Sequence, residues 1–172
     1  MTDFRSPLDS TQFDIYVLGR ALRPDAKAPS TLGFLGLNLS AAEARAEASR
    51  QRQRGVATLV LPVPYRDIVG ISLDEATSIA LGEYERLTRT STDKFGPLTV
   101  RRDGVGWWVF SANNISAQER GMIPGIVVIY IDKILARALT DDEIEEMNRL
   151  SFAQGANHGI IAVSKEEVPW QS

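Results

Sequence analysis

Apolar and polar positions alternate along this chain in two different periods, and the switch between them marks its elements. Phe13-Asp14-Ile15-Tyr16-Val17-Leu18-Gly19 alternates singly and predicts a strand. Thr31 to Leu37 predicts a second, weaker strand, since Gly33 and Gly36 cost it rigidity. Between them Leu22 to Ser30, with two prolines and small polar residues, is a loop. Ser40-Ala41-Ala42-Glu43 is a capping box that opens a helix to Arg54, closed by Gly55. Val56 to Leu61 is then a buried strand, giving the first half a βαβ-like look and its only plausible parallel crossover.

Two prolines in Leu61-Pro62-Val63-Pro64-Tyr65-Arg66-Asp67 mark the junction between the halves. Ser72-Leu73-Asp74-Glu75 is a second capping box, and Leu73, Ala76, Ile79, Ala80, Tyr84 and Leu87 form one helical stripe through about Thr88. Leu98–Arg102 and Val105–Phe110 flank Asp103-Gly104 as a hairpin. Ile126–Ile131 is a further strand, followed by Ile134–Leu139 across a turn at Asp132-Lys133. Thr140-Asp141-Asp142-Glu143 opens a third helix ending near Gly155, and His158–Val163 has the pattern of a last strand. The expected class is α+β, an N-terminal ββαβ unit over residues 1–66 followed by a helix-plus-antiparallel-sheet domain over 67–172.

Composition adds little to this picture. The chain has 172 residues, 44% hydrophobic and 24% charged, with no cysteine. A disulfide and a thiolate metal site are thereby excluded. The first residues lack the basic stretch and apolar core of a signal peptide, and no apolar run approaches the roughly 18 to 20 residues that span a bilayer. The cytoplasm is the expected compartment, with no membrane partner. The net charge of −3 divides into +2 over residues 1–70 and −5 over 71–172. Nucleic acid is not expected as a partner, and the acidic half favours a basic protein surface.

Each candidate for chemistry has a plain structural reading. His158 is the single histidine; a general-base role beside Asp141 or Glu145 is demanded by no spacing. Gly33-x-x-Gly36 lies on an apolar strand and lacks the dinucleotide-binding arrangement. Arg50 and Arg54 have the spacing to grip an anion, yet cations at a helix C-terminus also complement its dipole. Asp141 to Glu143 sit in a first helical turn, where negative charge is favoured and solvated, and the run lacks the pattern of a calcium loop. No serine stands in a nucleophile elbow. No catalytic residue, cofactor or metal site is expected.

Two features remain. Trp107 and Trp108 face opposite sides of a strand, so one enters the core unless both faces are covered; Trp107 is taken as the outward ring. The polar loop Ser111 to Ile123 is long for a strand connection, a common mark of function. The order of a capped helix (Ile71-Ser72-Leu73-Asp74-Glu75-Ala76), a hairpin ending in Gly106-Trp107-Trp108-Val109-Phe110, and then Pro124-Gly125-Ile126-Val127-Val128-Ile129-Tyr130-Ile131-Asp132-Lys133 resembles the immunity protein 35 family of bacterial polymorphic-toxin systems. The resemblance covers about Asp67 to Leu139. It implies a small domain with a helix packed on an antiparallel sheet, and a cytoplasmic antidote that binds a cognate protein toxin and occludes its active site. The family motif assigns no contact residues. From exposure and charge, the expected surface is Trp107, the loop residues Asn113, Asn114, Glu119, Arg120 and Met122, and Asp141 and Asp142 at the acidic helix start. Two other classes stay open: a small enzyme with a pocket near His158, and a structural or oligomeric accessory protein. The oligomeric state is not legible.

Overall fold

Every helix longer than two turns begins with the capping box its sequence announces. The computed structural model of the protein describes residues 4–21, 31–123 and 125–151. In α1 (Ala41–Gln53) the Ser40 side chain accepts from the Glu43 amide while Glu43 accepts from the Ser40 amide. Ser72 and Glu75 do the same for α2 (Leu73–Thr88), and Thr140 and Glu143 for α4 (Asp141–Ser151). The backbone and hydroxyl bonds from Ser40 and Ser72 hold the Glu43 and Glu75 carboxyls below the ordinary glutamate range. Gly55 closes α1 at φ +80°, where a residue with a Cβ would be strained.

The chain divides into two compact units, Met1–Ile68 with Thr140–Ser172, and Val69–Leu139. In the first, β1 (Phe13–Ala21) is flanked by β2 (Gly33–Phe34) and β3 (Val56–Pro62), both antiparallel to it. The crossover through α1 therefore joins β2 to β3, which run parallel with β1 between them, and not β1 to β3. Ala44 and Ala48, the buried positions of α1, let its backbone approach the sheet closely. β3 is buried at all seven positions, and both α1 and α4 pack against it. Met147 and Leu150 of α4 join Ile15, Leu59 and Val60 in the core. The expected boundary thus needs correction: α4 belongs with the first 68 residues and not with the helix-on-sheet unit. An amphipathic helix packs on whichever apolar surface fits it, and chain order does not dictate the choice. The expected loop Leu22–Ser30, the end of the last helix near Gly155 and the strand His158–Val163 fall outside the described residues.

The second unit is α2 on a four-stranded antiparallel sheet, β4 (Thr99–Asp103), β5 (Trp107–Asn113), β6 (Ile126–Asp132) and β7 (Arg137–Ala138) in that order. The α+β class and its ββαβ-then-helix-on-sheet order are as the pattern predicts. Ala76 and Ala80 of α2 meet Phe110, Ile129 and Ile131, with Trp108 and Val127 against the same cluster. A five-residue helix, α3 (Ile115–Glu119), sits in the β5–β6 connection. β7 is only two residues long, because Asp132 ends β6 in a tight turn. Its buried carboxylate accepts from the amides of Ile134 and Leu135, both at 2.8 Å.

The lysine of the Asp-Lys pair and the second tryptophan meet at one point. The Lys133 ammonium lies 4.6 Å from the centre of the Trp108 ring, donates to the Gly104 carbonyl at 2.6 Å and pairs with Asp103. Trp108 Nε1 donates to the Ile71 carbonyl at 3.1 Å, and the Ile71 amide to the Lys133 carbonyl at 3.2 Å. Gly70 lies against the lysine stem: a Cβ there would stand 2.6 Å from Lys133 Cβ. Gly70→Ala is therefore expected to destabilise the protein by about 2 kcal/mol in urea denaturation, through displaced packing. A change below about 0.5 kcal/mol would show that Lys133 yields freely.

Candidate interaction site

The β5–β6 connection is long, yet it is firmly held. Asn114 caps α3, its Oδ1 accepting from the Ala117 amide at 3.0 Å, and its Nδ2 donates to Asp93 Oδ2 at 2.9 Å. The other Asp93 oxygen receives Arg120 at 3.4 Å. Backbone bonds add to these: the Ile115 amide donates to the Lys94 carbonyl at 2.9 Å, and the Gly96 amide to the Asn113 carbonyl at 2.8 Å. Because Asp93 and Lys94 precede β4, this pinning uses pairs about 20 residues apart in sequence.

What the pinned connection presents to water is mixed. The expected loop starts later than Ser111, because β5 runs on to Asn113; that last strand residue, with Glu119 and Arg120 of the connection, is exposed and polar. Beside them stand Met122 and Ile123, the latter 95% exposed, and Ile126 at the start of β6 is 48% exposed. Five of the expected contact residues, Asn113, Asn114, Glu119, Arg120 and Met122, are brought together here. Asn114 is half-buried and does a structural job, capping the helix. Ile126 is not singled out by the pattern, since an apolar side chain at a predicted strand is read as core, and Ile123 enters only as the end of the expected loop. The adjoining Pro124-Gly125 pair was the available signal, because it separates Ile123 from the ladder.

Trp107 is corrected. It is 1% exposed and among the largest fully buried side chains, whereas Trp108 is the half-buried one, its ring against α2 and Lys133. Alternation put the rings on opposite faces correctly; both faces of β5 are buried there, and periodicity carries no information about that. Asp141 and Asp142 are exposed in the first turn of α4, in the other unit. Glu143 departs from the reading of a solvated run. It is buried and accepts from the Ser6 hydroxyl at 2.5 Å. The charge surplus also moves. Val69–Leu139 carries eight Asp/Glu and eight Lys/Arg, so the −5 of the second half lies entirely in residues 140–172.

The remaining candidates resolve plainly. Arg50 is engaged by Glu47, its Nε at 2.9 Å. Gly33 and Gly36 adopt left-handed φ of +82° and +78°, and the amides of Gly36 and Leu37 converge on the buried carboxylate of Asp14. A possible anion cradle is thus filled by the chain's own carboxylate. His158 lies outside the described residues. A groove of about 520 Å³ runs between α1 and α4, lined by Ala41, Ala42, Arg45, Ala46, Ser49, Arg149 and Leu150. Glu146 holds Arg149 at 2.7 Å, and that contact lowers its carboxyl pKa. Among the described residues, no group of three His, Cys, Asp or Glu side chains is placed to hold a metal ion, and no helix is long and apolar enough to cross a membrane. Comparison of the chain with protein-family profiles, curated proteins and solved structures returns no match.

Proposed function

We propose that this protein is an immunity protein, which binds a cognate bacterial toxin in the cytoplasm and occludes its active site without chemistry of its own. The observation that carries the reading is the exposed Met122–Ile123 pair on the pinned β5–β6 connection. Apolar side chains held in solvent on a rigid support are preorganised anchors, and binding loses little entropy in ordering them. Asn113, Glu119 and Arg120, exposed polar residues near them in the chain, supply the polar contacts such an anchor takes at its edge. The order of segments along Asp67–Leu139 supports the same reading through its resemblance to immunity protein 35. Asp141 and Asp142 supply long-range attraction for a basic toxin and not the anchor itself.

A toxin gene in the neighbouring reading frame is expected, and co-expression with its product tests the proposal. Cells are expected to survive, and a complex is expected on gel filtration. Met122→Asp with Ile123→Asp changes exposed positions only, so the fold is retained while affinity falls about tenfold or more. Cell death beside the wild-type protein, with no complex recovered, would sink the reading.

A further inference from the structure

We propose that the first half of β6 is a docking edge for a second copy of this chain. β5 lies along the whole of β6, from Trp107 opposite Asp132 to Asn113 opposite Ile126. On the other side β7 answers only Ile131 and Asp132, with one more bond from the Leu139 amide to the Tyr130 carbonyl at 2.8 Å. Successive residues of a strand turn their backbone groups to opposite sides. The Gly125 carbonyl accepts from the Asn114 amide, toward β5, and the Tyr130 carbonyl is turned toward β7. The register along β5–β6 has no bulge, so residues 126 and 128 face away from β5. Their N–H and C=O groups meet no strand of the described residues.

The two edges of this sheet are guarded unequally. β4 carries Arg101, Arg102 and Asp103, with a register shift between Val100 and Arg102. Charge and irregularity are the usual means of discouraging edge pairing. Ile126-Val127-Val128-Ile129-Tyr130 has neither charge nor proline, and every residue favours strands. An uncharged edge is complementary to its own copy, because no like charges meet across a two-fold axis.

Free backbone groups fix the register. A two-fold axis at Val127 sets Ile126 opposite Val128 of the second copy, and all the outward groups then pair antiparallel. An axis at Ile126 would oppose Val128 with Pro124, which has no N–H. An axis at Val128 would oppose Ile126 with Tyr130, whose carbonyl already holds Leu139. This inference is independent of the toxin reading and uses none of the α3 residues.

Sedimentation of the whole chain is expected to show a dimer. Val128→Pro removes an N–H that β5 does not use, so the circular dichroism is retained and dimerisation weakens about tenfold or more. The sequence has no cysteine, so Val127→Cys introduces a single thiol. Across the proposed axis the two Cα atoms stand about 4.5 Å apart, and oxidised glutathione is expected to link the copies. Val100→Cys, on the guarded edge, is expected not to link. A wild-type chain monomeric at its solubility limit overturns the proposal. So does a folded Val128→Pro that dimerises undiminished, or a Val127→Cys that links no faster than Val100→Cys. Should Val128→Pro fail to fold, the comparison of the two cysteine variants decides.

Discussion

Trp107→Ala is expected to lose about 4 kcal/mol of stability, read as a fall in the urea midpoint followed by circular dichroism. The ring is 1% exposed, and Val109 and Tyr130 near it are buried as well. Removing an indole from such a site forfeits its burial and leaves a cavity that close-packed neighbours fill poorly. The prediction separates two roles for one residue. A contact anchor in water would leave stability unchanged and weaken binding. If Trp107→Ala kept its urea midpoint and lost only a partner, the buried assignment would be wrong. Because the expected loss is a large part of the stability of a domain this size, the variant is read by folding and not by function.

Local rules account for most of what was legible. A capping box acts within four residues, so the starts of α1, α2 and α4 follow from Ser40, Ser72 and Thr140 with their glutamates. Gly55 as a helix stop and the β4–β5 hairpin are equally local. The exposure of the β5–β6 connection was also legible, since a polar run between two apolar strands must reach the surface.

What escaped the sequence depends on partners far along the chain. The crossover from β2 through α1 to β3 was legible as a pattern, but not that β1 lies between those two strands and antiparallel to both. α4 shows its apolar face in sequence but not the sheet it covers. Ile126 carries the same β propensity as Ile129, yet the two lie on opposite faces of the sheet, and only Ile129 joins the cluster under α2. Asp93 has no distinguishing neighbour, yet it holds both Asn114 and Arg120. The Asp-Lys pair was visible as a motif; the work of Lys133 in seating Trp108 and Gly70 needed the third dimension.

Asp14→Ala is expected to cost about 3 kcal/mol, because one fully buried carboxylate organises the end of the small sheet. Asp14 accepts from the amides of Ile15, Gly36 and Leu37 at 2.7, 3.1 and 3.0 Å, and from Arg66 Nε at 2.9 Å. Arg66 in turn donates to the Leu37 carbonyl at 2.5 Å and to Asn38 Oδ1 at 3.2 Å. Alanine leaves those amides unanswered and separates the segment after β2 from the junction that follows β3. Arg66 keeps access to water, its side chain being 24% exposed, so the cost falls at the lower end of the range for a broken buried pair. Arg66→Ala is expected to cost less, about 1 kcal/mol, because the carboxylate retains its three amides. Hydrogen exchange locates the effect. The Gly36 and Leu37 amides should lose protection in Asp14→Ala, whereas those of β6 should keep theirs. If Asp14→Ala left Gly36 and Leu37 as protected as in the wild type, the positive φ of Gly36 would have to be held by some other contact, and the carboxylate would not be the keystone of that turn.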